Sequence, residues 1–171
     1  SSAVYSGFVN GDDFAASYSG VFANANSGTG KTVTINSSYS GADVSNYNIT
    51  DQTSTTANIS AKALTATASA SNKVYDGSSA ATSTLTLSGF VGSETVTSTN
   101  SSTFNNKNAG TGKTVTVNSI TLADGSNGGL AANYSISTGQ TTTANVTTKA
   151  LTLSGITASN KVYDSTTNAT T

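Results

Sequence analysis

The chain has 171 residues, of which 35% are hydrophobic and 9% charged, and its formal net charge at pH 7 is −1. It contains no Cys, His, Met, Trp or Pro. The lack of Cys and His excludes disulfides and thiolate metal sites, and it removes the usual side chains of acid–base and nucleophilic catalysis. We therefore expect a protein that is not an enzyme. The lysines are scattered and form no basic patch for nucleic acid, and no apolar run is long enough for membrane insertion.

Alternating apolar and polar residues predict β-strands along most of the chain. The first strand is expected at residues 3–9, and residues 10–13 (Asn-Gly-Asp-Asp) have the composition of a hairpin turn. A second strand begins at Phe14. A connection rich in Gly and Asn at 24–30 then leads into a third strand at 31–35.

Further along, residues 41–45 have room for one short helical turn, which is too short for a stable helix. Another strand is expected from residue 46. The longest β-prone run covers residues 55–67, and its apolar positions change parity near Lys62. We interpret this change as a bend between two structural units.

The same elements return in the second half of the chain, at offsets that grow from 82 to 88 residues. Residues 28–32 return at 110–114, and residues 71–77 (Ser-Asn-Lys-Val-Tyr-Asp-Gly) return almost unchanged at 159–165. Most of the growth in offset comes from extra residues near 123–129. Their Asp, Gly, Ser and Asn content predicts a longer surface loop.

The repeat predicts three segments. Residues 1–71 form a first unit that lacks its opening strand, 72–158 a complete second unit, and 159–171 the opening strand of a following unit. If the Lys-Val-Tyr-Asp segment instead closes a unit, the chain holds two nearly complete units, and the sequence is compatible with both. Because the chain has no Met, we expect it to be a segment of a longer polypeptide.

The predicted fold is all-β, or mostly β, with tandem small antiparallel repeat domains arranged end to end. Each domain is expected to be a β-sandwich-like or β-grasp-like sheet of about six strands. A β-solenoid is the main alternative, because one repeat would hold about four coils. The uneven offsets and the lack of a shorter internal period weigh against it.

Five motifs of the second half occur in a characteristic order: Asn-Lys-Val-Tyr-Asp-Gly at 72–77, Leu-Thr-Leu-Ser-Gly at 85–89, Lys-Asn-Ala-Gly-Thr-Gly-Lys-Thr-Val at 107–115, Ala-Asn-Tyr at 132–134 and Lys-Ala-Leu-Thr at 149–152. In this order they resemble the YDG-type tandem repeats of large secreted bacterial surface proteins, including adhesins of the filamentous-haemagglutinin type. The resemblance covers essentially the whole chain. It departs at Ser165, where the motif has Gly, and at 25–27.

This resemblance implies a mostly-β repeat domain outside the cell, at the bacterial cell surface, that acts as a stalk. It implies no catalytic residues, and its expected partners are neighbouring repeats of the same polypeptide. A self-assembling fibre subunit is the alternative, in which β-strand addition joins copies of the chain. The candidates for that strand exchange are Lys161, Val162, Tyr163 and Asp164.

Two possible binding functions depend on particular side chains. A carbohydrate-binding module would use Tyr5, Tyr18, Tyr39 or Tyr47, although the chain offers neither Trp nor a cluster of acidic or amide groups. Calcium is the one cofactor left open, and its weak candidate ligands are turn aspartates outside any recognised calcium loop. These candidates are Asp12, Asp13, Asp76 and Asp164.

The Gly-Thr-Gly-Lys-Thr segments at 28–32 and 110–114 are similar to the end of a phosphate-binding P-loop. The earlier Gly of that pattern is replaced by Ala25 and Lys107, and a strand follows where a helix is needed. We interpret both segments as glycine turns that enter a strand.

Overall fold

The computed structural model describes residues 5–7, 9 and 11–171. β-Strands are their main secondary structure, which confirms the predicted mostly-β fold class, whereas the tandem end-to-end arrangement stays a prediction. Their helical elements are single turns of 3₁₀-helix at Val44–Asn46 and Ala131–Asn133, close to the position predicted for a short helical turn. Among the described residues, no helix is long and apolar enough to cross a membrane.

The strands fall into a first group before residue 60 and a second group after it. The first group is β1 (Ala15–Phe22), β2 (Gly28–Ser40) and β3 (Ser54–Ile59). The second group is β4 (Lys62–Ala63), β5 (Thr65–Ala70), β6 (Lys73–Val74), β7 (Ala80–Ala81), β8 (Ser83–Ser88), β9 (Val96–Phe104), β10 (Gly110–Asp124), β11 (Tyr134–Ser135) and β12 (Thr141–Thr147). We call residues up to 59 the first copy and residues 60–147 the second copy.

The first copy contains an antiparallel sheet with the order β1-β2-β3. Strands β1 and β2 form a hairpin in which Phe22 lies opposite Val33. This hairpin confirms the strands predicted from Phe14 and from residue 31. The strand predicted at 3–9 and the turn predicted at 10–13 lie partly outside the described residues, and residues 5–7 and 9 are not in a strand.

The second copy contains a five-stranded sheet with the order β6-β12-β10-β9-β7. Strands β10 and β12 are antiparallel, whereas β6 runs parallel to β12, with Lys73 opposite Val146. Strand β4 is likewise parallel to β11, with Lys62 opposite Tyr134, and β5 pairs with β8. Parallel pairing needs a long connection between the strands, and more than 60 residues separate β4 from β11 and β6 from β12.

The longer surface loop predicted near residues 123–129 follows β10. Strand β10 ends at Asp124, and the Gly125 N–H donates to the Gly129 carbonyl at 2.9 Å to close the turn. Beyond β12, residues 148–171 contain no strand and are exposed.

By its internal contacts, the chain divides into two compact units. One comprises Ser1–Ala66, Leu87–Thr99 and Thr121–Ser137, and the other comprises Thr67–Thr86, Asn100–Ile120 and Thr138–Thr171. The domain boundaries expected from the repeat, at residues 71 and 158, stay a prediction.

Each of these compact units has its own apolar cluster. In the compact unit that includes Ser1–Ala66, which is the first of the two, Leu64, Val96 and Tyr134 are buried together. In the second unit, Phe104 and Val146 are buried with Val115 and Ala144. The partly buried side chains packed against them are Leu87, Phe90, Leu122 and Ile136 in the first unit and Ala70, Tyr75 and Ala81 in the second.

Candidate functional site

The first copy has an open groove of about 320 Å³. One wall comes from the chain before and at the start of β1, and the other from the chain that follows the 3₁₀ turn Val44–Asn46. The residues that line the groove are Tyr5, Ser6, Gly7, Phe14, Tyr47, Asn48, Ile49 and Thr50. It combines aromatic and aliphatic surface with a few polar groups, as a site for an apolar side chain or a small ligand does.

The four tyrosines named as carbohydrate candidates lie in one aromatic cluster around Phe14. The Tyr5 ring centroid is 5.7 Å from that of Phe14 and 6.4 Å from that of Tyr18. The Phe14 centroid is 5.6 Å from that of Tyr39 and 6.0 Å from that of Tyr47. Only Tyr5 and Tyr47 of the four also line the groove.

Hydrogen bonds hold two of these tyrosines to carboxylates. The Tyr47 hydroxyl donates to Asp12 Oδ2 and accepts the Val9 N–H at 3.0 Å. The Tyr39 hydroxyl donates to Asp51 Oδ1. The two bonds to carboxylates raise the pKa of Tyr47 and of Tyr39, because a carboxylate acceptor favours the protonated hydroxyl.

Desolvation, followed by a hydrogen bond with Tyr18, raises the pKa of the Tyr5 hydroxyl well above its usual range. With all three shifts upward, the hydroxyls stay protonated at neutral pH and are not activated as nucleophiles.

The second copy repeats the arrangement around Tyr47. The Tyr134 hydroxyl donates to Glu94 Oε2 at 2.6 Å and accepts the Val91 N–H at 3.1 Å. The hydrogen bond to Glu94 raises the pKa of Tyr134. We call this arrangement, in which one hydroxyl joins a carboxylate to a backbone N–H, the tyrosine clamp.

The four calcium candidates lie in three hydrogen-bonded loops, because Asp12 and Asp13 are neighbours in the chain. Asp12 belongs to the tyrosine clamp, and Asp13 accepts the Ala42 N–H at 3.0 Å. Asp76 accepts the Ser78 N–H at 2.9 Å, and Asp164 accepts the Thr166 N–H at 3.0 Å. Within the described part of the chain, no three acidic side chains converge on one point where they could hold a metal ion.

The lysine of the Lys-Val-Tyr-Asp motif braces the loop that follows it. Lys73 Nζ lies 2.9 Å from Asp76 Oδ1 and donates to the carbonyls of Ser78 and Ala80 at 2.8 and 2.9 Å. The hydrogen bond from Lys73 lowers the pKa of Asp76.

The second occurrence of this motif, at 161–164, has a similar brace. Lys161 Nζ lies 2.7 Å from Asp164 Oδ1 and donates to the Thr166 carbonyl at 2.9 Å, and it lowers the pKa of that aspartate. The motif therefore stabilises its own loop, a role that sequence reasoning missed. The signal for this role is the spacing of three residues between the Lys and the Asp.

The lysine of the P-loop-like segment points into its own loop. Lys113 is buried, and its Nζ donates to the Asn106 carbonyl at 2.7 Å, to Asn106 Oδ1 at 2.6 Å and to the Asn108 carbonyl. Lys31 makes the corresponding contacts with Asn24 Oδ1 and the Asn26 carbonyl. These bonds give both lysines a structural role. The segments themselves are the irregular beginnings of β2 and β10, where the register shifts between Gly28 and Lys31 and between Gly110 and Lys113, and not the separate glycine turns that the sequence predicted.

The strand-exchange candidates lie in the exposed stretch after β12. Val162 and Tyr163 are almost fully exposed, and Lys161 and Asp164 bond only within their own loop. Sequence reasoning missed a second exposed feature of this stretch, Leu151. Its signal was the exact recurrence of Lys-Ala-Leu-Thr at 62–65 and 149–152.

The model of one protein family, the YDG domain, matches the chain twice, over residues 1–57 and 60–144. The second match includes the Lys-Ala-Leu-Thr segment at its beginning and the Lys-Val-Tyr-Asp segment shortly after. No curated protein and no solved structure is significantly similar to the chain.

Proposed function

We propose that this chain, which belongs to the YDG domain family, is a non-catalytic structural repeat. In this role it is a stalk or spacer of a secreted bacterial surface adhesin or extracellular matrix protein. It acts by extending the parent polypeptide outside the cell, and its partners are the neighbouring repeats.

The proposal is supported mainly by one observation: polar side chains of the repeated motifs make hydrogen bonds within their own copy. The tyrosine clamp occurs in both copies, and its carboxylates are Asp12 and Glu94. The lysines of the repeated motifs bond to carbonyls and side chains of their own loops. Groups that hold loops in shape within every repeat favour a structural role over a catalytic one, which needs an accessible acid, base or nucleophile.

Small-angle scattering of the 171-residue chain tests the stalk. A single compact globule of this length has a radius of gyration of about 16 Å, and two units end to end would give roughly 22 Å. We expect the larger value at the lowest protein concentrations. The compact value across the whole concentration series would contradict the stalk.

The proposed location has a separate test. Antibodies against the chain should label intact cells that produce the parent polypeptide, and external protease should remove the label. Labelling that requires permeabilised cells would contradict an extracellular role.

A second candidate function is self-assembly into an extracellular fibre by β-strand addition. It is favoured by a specific difference between the two occurrences of one segment. Residues 62–74 contribute β4, β5 and β6 to the sheets of the second copy, whereas residues 149–162 repeat their motifs outside any strand. Exposed strand-forming segments are a common means of joining protein chains.

A further inference from the structure

We propose that the connection between β1 and β2 of the first copy is an interaction surface for the 3₁₀ turn Ala131–Asn133 of the second copy. The surface is formed by Asn26 and Ser27, and the group that recognises it is the Asn133 side-chain amide. We call these residues, together with Ala132, the joint. The proposal rests on the proposed stalk function and deepens it, because it assigns the contact by which one repeat holds the next.

Three hydrogen bonds form the joint, and they connect residues that are 105 to 107 positions apart in the sequence. Asn133 Oδ1 accepts the Ser27 N–H at 2.8 Å, and Asn133 Nδ2 donates to Asn26 Oδ1 at 3.2 Å. The Ser27 hydroxyl donates to the Ala132 carbonyl at 2.5 Å. The Asn133 amide thus uses both its acceptor and its donor, which makes the contact specific in geometry.

The joint lies inside one compact unit. That unit comprises Ser1–Ala66 together with Leu87–Thr99 and Thr121–Ser137, so it contains residues of both copies. Few contacts cross a flexible linker between independent domains. A unit assembled from two copies instead indicates that the first copy packs against this part of the second.

The loop of the joint is shaped by contacts within the first copy. The Asn26 N–H donates to Asn24 Oδ1 at 3.1 Å, and Lys31 Nζ donates to the Asn26 carbonyl. The second copy has the same turn, in which the Asn108 N–H donates to Asn106 Oδ1 at 3.0 Å. The turn is therefore a property of the repeat, and a surface ordered in advance loses little conformational entropy when it binds.

The equivalent asparagine makes a different contact in the first copy. Asn46 precedes Tyr47 as Asn133 precedes Tyr134. The Asn46 Nδ2 donates to Asp43 Oδ1 at 3.3 Å, within its own turn. One motif position thus has a local contact in one copy and a contact between copies in the other, which makes Asn46 a matched control.

The sequences of the two copies also differ at the joint. Ser27 stands where the second copy has Ala109, and only a hydroxyl at this position can donate to the Ala132 carbonyl. The departure from the repeat motif at 25–27 therefore adds a hydrogen bond that belongs to this pair of copies.

Spin labels can test the joint directly, because the chain has no Cys. Ser19→Cys in β1 and Thr121→Cys in β10 label exposed positions, one in each copy, within the same compact unit. Double electron–electron resonance then measures the distribution of distances between the labels. We expect a single narrow distribution, which Asn133→Ala combined with Ser27→Ala broadens by at least about twofold.

Amide exchange of Ser27 gives a local measurement. Because its N–H donates to Asn133 Oδ1, Asn133→Ala should speed this exchange by at least about tenfold. Asn46→Ala, the matched control, should change it by less than about threefold. Asn133→Asp keeps an oxygen that accepts the N–H, so it should restore most of the protection.

A broad distance distribution in the labelled parent chain would overturn the joint. A narrow distribution that survives Asn133→Ala combined with Ser27→Ala would overturn the assignment of these residues. Equal acceleration of the Ser27 exchange by Asn133→Ala and Asn46→Ala would do the same, because it would reflect a general loss of stability.

The joint and the stalk fail in distinguishable ways. A narrow distance distribution together with the compact radius of gyration supports the joint and contradicts the stalk. The larger radius of gyration together with a broad distribution supports the stalk and rejects the joint.

Discussion

The two copies share much of their sequence, but their equivalent residues are buried to different extents. Val115 in β10 is fully buried, whereas Val33, at the equivalent place in β2, is half-buried. Phe104 and Lys113 are also buried, while Phe22 and Lys31 are half-buried. The described residues before residue 60 include none that is fully buried.

The difference follows from residues 62–76 of the second copy, which we call the opening segment. In the second copy this segment contributes Leu64 to one apolar cluster, and it contributes Ala70 and Tyr75 to the edge of the other. Lys73 adds a cation over the Phe104 ring, 5.6 Å from its centroid. No described residue of the first copy takes these places. The repeat sequence is therefore enough to form strands, whereas a fully buried core also requires the opening segment.

Local polar contacts, in contrast, are the same in both copies. Each has a tyrosine clamp, and each has an asparagine side chain that bonds to a glycine in the irregular first residues of the central strand. Asn58 Oδ1 accepts the Gly30 N–H at 2.8 Å, and Asn145 Oδ1 accepts the Gly112 N–H at 2.7 Å. These contacts join residues of one copy only, so they form with or without the opening segment.

The largest effect is expected from truncating the matched phenylalanines. Phe104→Ala should lower the free energy of unfolding by about 3–5 kcal/mol, because it leaves a cavity in a dry cluster. Phe22→Ala should cost less than about 2 kcal/mol, because its side chain is only half-buried to begin with. Urea titration followed by circular dichroism measures both. Equal losses would contradict the conclusion that the second copy has the better-buried core.

The matched lysines should give a smaller difference. Lys113→Ala removes a buried side chain that donates to the Asn106 and Asn108 carbonyls and lies over the Phe104 ring, which should cost about 1–3 kcal/mol. Lys31→Ala exposes its carbonyls to water, and we expect a loss below about 1 kcal/mol. The same urea titration applies. A larger loss of unfolding free energy for Lys31→Ala than for Lys113→Ala would contradict the assignment of the more buried core to the second copy.

The tyrosine clamps should behave alike, and their effect is the smallest. The hydrogen bond to Glu94 raises the pKa of Tyr134 above its ordinary value of 10.0, and the bond to Asp12 raises that of Tyr47 in the same direction. A raised pKa means that the clamp stabilises the fold fully below pH 10 and loses this effect as the pH rises through the raised pKa. Tyr134→Phe and Tyr47→Phe should therefore be less stable than the parent at pH 8, and the gap should close at alkaline pH.

Stability measured from pH 8 to pH 11.5 checks this expectation, and an unrelated exposed tyrosine changed to Phe, at Tyr163, serves as the control. A gap that stays constant over this range would contradict the role assigned to the clamp hydroxyls.

The sequence predicted the local structure well, because alternation and turn composition act over a few residues. The hairpin from Phe14, the 3₁₀ turn at Val44–Asn46 and the loop after β10 all depend on such short-range signals. The parallel pairs β4 with β11 and β6 with β12 could not be predicted in this way, because their partners are distant in sequence and share no local pattern.

The candidate site was predictable only in part. Its two tyrosines, Tyr5 and Tyr47, were among the carbohydrate candidates named from the sequence. The groove itself depends on which segment covers an apolar surface, and that is a property of tertiary packing. The recurrence of Lys-Ala-Leu-Thr was visible in the sequence, but its meaning depended on seeing Leu64 buried in one copy and Leu151 exposed after the other.

Amide hydrogen exchange at the matched central strands tests most directly the claim that the opening segment, and not the local sequence, stabilises the core. Strands β2 and β10 share the sequence Gly-Thr-Gly-Lys-Thr-Val-Thr, and each lies between two neighbouring strands. We predict that the amides of Val115 and Val117 exchange at least about a hundredfold more slowly than those of Val33 and Ile35. Equal protection of the two strands would contradict the account.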